Sequence, residues 1–211
     1  MTQQQEIKTF DDLSEKHKTW IIKYCSTTFE LPLYLVWYSE NDEDGTVKLM
    51  TYKNGEIFAA HSLANFKSNV LFEIDNLIVG ENIISWLDNF SDLVIVESCT
   101  YNISEIENEI AKNNLDISTI ENLVNFISVF DDLVHQDIKY LDLKTYIEND
   151  LIQETWDYFY DYIFWPRFND KEKFEAWNRP ELEIDTNELL VKLKQMVKAF
   201  EVYIKPIEKT E

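Results

Sequence analysis

The stretch that most constrains the fold is Ser118 to His135, which reads STIENLVNFISVFDDLVH. Its apolar side chains recur at helical spacing and cover more than half of a helix circumference: Ile120, Leu123, Val124, Phe126, Ile127, Val129, Phe130, Leu133 and Val134. A helix this apolar must be buried by other elements on most of its sides. Ser118 and Glu121 have the spacing of a capping box, so the sequence predicts that the helix begins at Ser118.

The N-terminal half carries the signals of strands and tight turns. Leu33 to Tyr38 follows Pro32 and is rich in β-branched and aromatic residues, which favours a strand. Two further strands, Val47 to Tyr52 and Glu56 to His61, flank Asn54-Gly55, a dipeptide typical of a two-residue hairpin turn. We expect these three strands to form an antiparallel β-meander.

The other N-terminal segments give weaker signals. The sequence predicts helices over residues 11–25 and 81–90. It also offers two candidate strands, Val70 to Ile74 and Leu93 to Glu97, and the second of these is expected to be well buried.

From residue 104 onward the patterns indicate helices only. Ser104 and Glu107 are predicted to form a capping box that opens the first of them. The central helix follows, and a third helix is expected over Lys144 to Trp165, stopped by Pro166. The last helix is expected over Asp185 to Ile204, with Asp185 at its start.

Strands followed by helices are typical of an α+β fold. We therefore expect an N-terminal antiparallel β-meander packed against a C-terminal helical bundle. The whole chain, 1–211, is expected to be a single domain. Within it, residues 1–98 would form the part with the first helix and the meander, and residues 99–205 the helical part.

Charge is the strongest compositional signal. The net charge is −21, and residues 73–161 hold 20 acidic side chains against 3 basic ones. A field of this sign repels nucleic acid and anionic membranes, and it attracts cationic proteins. We therefore expect a basic protein partner, with neither nucleic acid nor membrane among the partners. A surface that only keeps the protein in solution would have the same composition.

The predicted helix 144–165 carries the most informative pattern. Asp150, Glu154, Asp157 and Asp161 are spaced by four, three and four residues, so their carboxylates share one face. Trp156 and Tyr160 flank this acidic line. Aromatic side chains supply anchors at protein interfaces, and carboxylates supply charge complementarity. These six residues are the predicted partner-binding site, and an ordinary solvated helix face is the alternative.

Signals of catalysis are sparse. Asp132 and His135 lie one helical turn apart and, with Glu154 or Asp157, would suit a metal-assisted hydrolase. No second Asp-x-x-His or Glu-x-x-His unit accompanies them, and the chain has no G-x-S-x-G motif. We expect no catalytic residue, no bound metal and no cofactor.

Two other candidate sites are interpreted as ordinary structure. The cluster of Glu40, Asp42, Glu43 and Asp44 would offer calcium ligands, but it lacks the spacing of an EF-hand loop and is better explained as a solvated turn. Cys25 and Cys99 have no metal-ligand spacing and indicate two reduced thiols.

The sequence also bears on location. No apolar run approaches the roughly 18 residues needed to span a bilayer. The first residues, MTQQQEIKTFDDL, lack the basic and apolar regions of a signal peptide. We therefore expect a cytoplasmic protein.

In general character the chain resembles the immunity proteins of bacterial toxin–immunity systems, including contact-dependent growth inhibition. The resemblance rests on a small acidic domain, poor in Gly, Arg and Cys, with aromatic-rich helices and no catalytic signature. It implies a non-enzymatic protein that binds and neutralises a cognate, cationic, nuclease-like toxin. A DNA-mimic inhibitor, in which spaced carboxylates imitate phosphates, is the alternative from another binding class.

Overall fold

The computed structural model describes residues 9–40, 45–90 and 93–207. Asp42, Glu43 and Asp44, the core of the calcium candidate, lie outside the described residues. The fold mixes helices with a sheet, and the strands lie mainly in the N-terminal half and the helices in the C-terminal half. The chain divides into two compact units. The first comprises the chain up to Tyr101 and from Tyr203 onward, and the second comprises Asn102–Val202.

The first unit contains a mixed sheet. Its strands are β1 Thr19–Cys25, β2 Leu33–Ser39, β3 Val47–Leu49, β4 Thr51–Tyr52, β5 Ile57–Ala60, β6 Leu77–Ile78, β7 Cys99–Asn102 and β8 Ile204–Pro206. Their order is β6-β4-β5-β2-β1-β7, while β3 also pairs with β2, and β8 with β5. Buried side chains from both faces of these strands supply the core of the unit.

The sheet is not the simple meander that the sequence predicts. Asn54-Gly55 lies in the turn that joins β4 to β5, but this is not the predicted two-residue turn. The type I′ turn typical of Asn-Gly needs a positive φ at both residues, and Gly55 alone of the two has one, 95°. The N–H of Gly55 donates to the carbonyl oxygen of Tyr52, and the N–H of Tyr52 donates to that of Glu56, so the loop holds three residues, 53–55. However, β3 and β5 lie end to end along the same edge of β2, because Trp37 pairs with Leu49 and Leu35 pairs with Ala59. Between β3 and β5 in the chain, β4 pairs with β5 and β6 instead of β2. In addition, β8 runs parallel to β5 from the far end of the chain.

The predicted helix 11–25 is wrong beyond its first half. Helix α1 spans Phe10–His17, Lys18 then takes a left-handed φ of 48°, and β1 begins at Thr19. The β-branched and aromatic residues of β1 pair along its length with β2. Burial of Ile21, Ile22 and Tyr24 in the sheet outweighs the helical spacing of the apolar residues.

Both weaker strand predictions are also wrong. Residues 70–73 belong to helix α2, Phe66–Glu73, and a 3₁₀ turn continues from Ile74 to Asn76. Residues 93–97 have no regular structure, and Val94 is 81% exposed rather than buried. The helix predicted at 81–90 is confirmed as α3, Glu81–Asp88. Its Trp86 is fully buried.

The buried side chain of Asn82 connects three elements of the first unit. Its amide donates to the carbonyl oxygen of Ser39 at 3.0 Å and to that of His17 at 3.3 Å. Ser39 ends β2 and His17 ends α1, so one side chain on α3 satisfies backbone acceptors on both.

The second unit is helical. Its elements are α4 Ile103–Ala111, α5 Ile117–Gln136, a 3₁₀ turn Ile138–Leu143, α6 Lys144–Ile147, α7 Asp150–Phe159, a π turn Tyr160–Phe164, α8 Trp165–Asn169, α9 Lys171–Ala176 and α10 Thr186–Glu201. The predicted central helix is confirmed as α5, and all nine of its predicted core residues are buried. Phe126 and Phe130 of α5 both contact the ring of Phe200 on α10.

The helix starts differ in part from the prediction. Asp116, not Ser118, caps α5 by accepting the N–H of Thr119 at 2.8 Å. Asn102, not Ser104, caps α4. Asp185 caps α10 as predicted, accepting the N–H groups of Asn187 and Glu188. Asp116 and Asn102 each come directly before an apolar first residue, Ile117 and Ile103. Asp, Asn and Ser are about equally good helix caps, so the spacing of Ser and Glu two residues later did not decide the start.

The predicted helix 144–165 is interrupted and then extended. It breaks after α6, and Asn149 caps the new start of α7. It does not stop at Pro166, because the π turn widens the helix there and the N–H of Trp165 donates to Tyr160, five residues earlier. Pro166, which has no N–H to donate, is thereby accommodated in the first turn of α8.

Candidate partner-binding groove

The four predicted carboxylates line one groove of the second unit, about 700 Å³ in volume. One wall is the face of α7 and the start of the π turn, with Asp150, Glu154, Asp157 and Asp161. The opposite wall is the irregular segment 180–183, which adds Glu181 and Glu183. We call this feature the acidic groove. The structure therefore brings the predicted acidic line together and adds two carboxylates to it.

Specific contacts hold the second wall in place. The hydroxyl of Tyr158 on α7 donates to the carbonyl oxygen of Pro180 at 2.7 Å. Leu182 packs on the apolar cluster of α5 and the α7 region that includes Ile120 and Ile163. The guanidinium of Arg179 lies 4.8 Å from the centre of the Phe174 ring. These contacts hold the segment 180–183 against the α7 region and so form the groove within the unit.

The acidic groove concentrates uncompensated charge. All six of its carboxylate side chains belong to exposed residues, and within the described chain none of them forms an ion pair. No Lys or Arg is among the described residues that line it. Elsewhere in the same unit a carboxylate does form an ion pair. Glu121 accepts hydrogen bonds from both terminal nitrogens of Arg167, at 2.7 and 3.1 Å. The groove is thus suited to cations from outside the chain.

The structure separates the predicted aromatic residues from the groove. Trp156 and Tyr160 do not line it, whereas Tyr158 and Tyr162 do, with their ring centres 5.1 Å apart. At about 100° per residue, Tyr158 lies about 80° to one side of Asp150 on the helix and Trp156 about 120° to the other. The acidic line therefore has an aromatic pair on each side, and sequence reasoning chose the pair on the side away from the groove.

Sequence reasoning also missed Glu181 and Glu183. They lie in residues 181–184, where polar and apolar side chains alternate, but sequence reasoning assigned this segment to no element and so did not relate it to α7. Two signals were available: Pro180 favours an extended chain, and the alternation after it predicts Glu181 and Glu183 on the opposite side from Leu182.

The proposed hydrolase ligands do not converge. His135 pairs with Asp131, with its Nδ1 at 3.1 Å from the Asp131 carboxylate. Across the residues that the structure describes, no three His, Cys, Asp or Glu side chains are grouped so as to hold a metal ion. The set of Asp132, His135 and Glu154 or Asp157 is therefore not brought to one point.

The two cysteines are free thiols in partly buried positions. Burial raises the pKa of Cys25 and of Cys99. Since the thiolate is the nucleophile, a raised pKa lowers the reactivity of both at neutral pH.

A comparison with known protein families gives no match, and neither does a comparison with curated proteins. Among solved structures, the chain is similar to the crystal structure of the SatS C-terminal domain in complex with bromine. The TM-score is 0.58 at 10% sequence identity, over 93% of this chain and 97% of that one. At this identity the likeness concerns the fold alone. Within the described ranges, no helix combines the length and the apolar character needed to cross a membrane.

Proposed function

We propose that this chain is a non-enzymatic binding protein, an immunity protein that neutralises a cationic, nuclease-like toxin by binding its basic surface. The observation that carries the proposal is the acidic groove, whose two walls present six carboxylates without an ion-pair partner in the described chain. A cytoplasmic location goes with this proposal, since such a protein meets its toxin inside the cell.

The energetics favour binding over a purely structural role. Like charges three and four residues apart on a helix each cost a few tenths of a kcal/mol. Asp150, Glu154, Asp157 and Asp161 carry that cost with no ion-pair partner among the described residues, although Asp150 is favoured by its place in the first turn of α7. A basic partner removes the repulsion on binding, and the field of the groove accelerates the encounter. Tyr158 and Tyr162 provide flat apolar surface beside the charges.

The test uses the full chain and the protein encoded by the neighbouring gene. We expect that neighbour to be a toxin with a basic nuclease domain, and co-expression of this chain to protect cells from it. A groove variant, Asp150→Asn/Glu154→Gln/Asp157→Asn/Asp161→Asn, should lose both binding and protection. A control variant with the same net charge, Glu30→Gln/Asp75→Asn/Asp88→Asn/Asp142→Asn, should keep both, because these exposed carboxylates lie outside the groove.

Two outcomes would change the proposal. If the neighbour is a metabolic enzyme and no basic protein binds, the immunity function is wrong. If several unrelated DNA-binding proteins bind, with a steep loss of affinity on adding salt, the carboxylates act as a DNA mimic instead.

A further inference from the structure

Five aromatic side chains form a continuous surface along α7, the π turn and α8. We call it the aromatic ladder: Trp156, Tyr160, Phe164, Trp165 and Phe168. Ring centres are 5.1 Å apart from Trp156 to Tyr160 and 5.3 Å apart from Tyr160 to Phe164. Phe164 and Phe168 stack at 6.2 Å with planes within 8°. Trp165 meets Phe168 edge to face at 6.1 Å.

The π turn keeps the ladder aligned. Residues four apart on a regular helix drift by about 40° around its axis with each step. The wider turn at Tyr160–Phe164 offsets this drift over one step, so Phe164 stays against Tyr160, and Phe168 stacks on Phe164 one turn further along α8. The irregularity around Pro166 thus extends one aromatic face across what would otherwise be a helix end.

The far end of the aromatic ladder is open to solvent. Phe168 is 74% exposed and Trp165 is 49% exposed, whereas Phe159 and Ile163 of the same stretch are buried in the core of the unit. Clustered exposed aromatic rings are typical of protein interaction sites. The ladder is therefore a surface that a partner would cover.

We propose that the aromatic ladder is a docking face for arginine side chains of a cationic protein. The inference rests on the proposed function and adds a preferred residue type to it. Charge complementarity selects the occupant: at a net charge of −21, a second copy, a nucleic acid and an anionic membrane are all repelled. Arginine is favoured over lysine because its planar, weakly hydrated guanidinium stacks on aromatic faces.

The acidic line beside the ladder supports the same occupant. By helical geometry, Asp157 lies about 60° around the helix from Tyr160. A guanidinium on a ladder ring would therefore lie close to a carboxylate. The chain's own nearby guanidinium is committed elsewhere, because Arg167 binds Glu121 through both of its terminal nitrogens.

The test compares nona-arginine with nona-lysine binding to the full chain by isothermal titration calorimetry at one salt concentration. We expect the arginine peptide to bind at least about threefold more tightly. The variant Trp165→Ala/Phe168→Ala should remove that preference and leave lysine binding unchanged. Trp165→Leu/Phe168→Leu, which keeps apolar bulk without a π face, should do the same. The control Phe72→Ala removes a comparably exposed ring, 71% exposed, and should keep the preference.

The outcomes separate the two proposals. Equal binding of both peptides to the unsubstituted chain, or a preference that survives the Leu variant, would overturn the arginine face. If binding of both peptides is then still lost in the groove variant, the proposed function stands. If neither peptide binds the unsubstituted chain, both proposals fail together. Matching circular dichroism spectra of the variants show that each result reflects the surface and not unfolding.

Discussion

At the scale of single residues, buried and capping carboxylates behave in opposite ways. The N–H of Thr119 donates to Asp116, and this hydrogen bond lowers the pKa of Asp116 because it favours the charged form. Burial raises the pKa of Glu107 on α4, an effect opposed by Lys194 and reinforced by Glu201. The ionised form of Asp116 therefore stabilises its helix, whereas the ionised form of Glu107 destabilises the folded state.

Replacing Asp116 tests which residue caps the central helix. Asp116→Ala should lower the free energy of unfolding by about 1 kcal/mol at pH 7, because an N–H at the helix start loses its acceptor. The pKa of Asp116 is lowered in the folded state, so its contribution is complete above the ordinary carboxyl pKa and is lost as the pH falls through the lowered value. Urea unfolding of Asp116→Ala and Ser118→Ala, at neutral and strongly acidic pH, measures this. An equal loss in Ser118→Ala would contradict the assignment.

Replacing Glu107 should have the opposite pH dependence. Its pKa is raised in the folded state, so its favourable contribution is present at acidic pH and is lost as the pH rises through the raised value. Glu107→Gln should therefore raise the thermal unfolding temperature at pH 7, by an amount equivalent to less than about 1 kcal/mol because solvent screens the side chain. The advantage should disappear below about pH 4. Glu30→Gln, at an exposed position, is the control, and a pH-independent gain would contradict the mechanism.

At the scale of elements, each unit depends on a local departure from regular structure. In the second unit the π turn carries the helix past Pro166 and aligns the aromatic ladder. In the first unit Lys18 ends α1 in the left-handed region, and β1 starts one residue later. The buried amide of Asn82 then joins the end of α1, the end of β2 and the start of α3.

Removal of the Asn82 amide should loosen this junction. Asn82→Ala removes the side-chain donor to the carbonyl oxygen of Ser39, whereas that of His17 keeps the Thr19 hydroxyl as a donor at 3.0 Å. A buried acceptor that loses its partner costs about 1–3 kcal/mol. Urea denaturation followed by circular dichroism gives the loss. Asn89→Ala is the matched control, since the Asn89 side chain donates to Ser85 at an exposed position and should change stability far less. Equal stability of the two variants would show that the junction does not need the amide.

At the scale of the whole molecule, the acidic residues repel one another in the folded chain, and the same charge attracts a cationic partner. The net charge is −21, and residues 73–161 account for most of the excess. Part of this charge lines the acidic groove, which has two walls and a volume of about 700 Å³. Its carboxylates therefore have a stability consequence that can be measured without any partner.

Neutralising part of the groove should stabilise the chain. Glu154→Gln/Asp157→Asn/Asp161→Asn removes the three like-charge pairs at three- and four-residue spacing on this face and should add about 0.5–1 kcal/mol to the free energy of unfolding at low salt. Asp150 is left unchanged, since a carboxylate favours the first turn of a helix.

The matched control for this variant is Glu30→Gln/Asp75→Asn/Asp142→Asn, which makes the same change in net charge. Comparison of the two by urea unfolding, with and without added salt, isolates the local repulsion. The difference between them should shrink as salt screens the charges. A loss of more than about 1 kcal/mol in the groove variant would mean that these carboxylates have stabilising contacts.

Local patterns determined a substantial part of this protein. The apolar stripe of α5 identified nine of the ten buried residues of that helix and missed Thr119, because burial on most sides requires apolar residues at nearly every position. Asn54-Gly55 located a hairpin turn, and Asp185 located the start of α10. The four-three-four spacing placed Asp150 to Asp161 on one helix face, which is the face that lines the groove.

Only the tertiary structure decided the features that depend on residues far apart in the chain. β1 is a strand because β2 is available to pair with it, although its own spacing also fits a helix. β8 reaches β5 across nearly 150 positions of sequence, and no periodicity carries that information. The acidic line becomes a groove because Pro180 and Leu182 hold the segment 180–183 against the α7 region, a contact that no local pattern predicts. Periodicity reports which side of an element is buried, whereas the partner of that side is set by packing between distant segments.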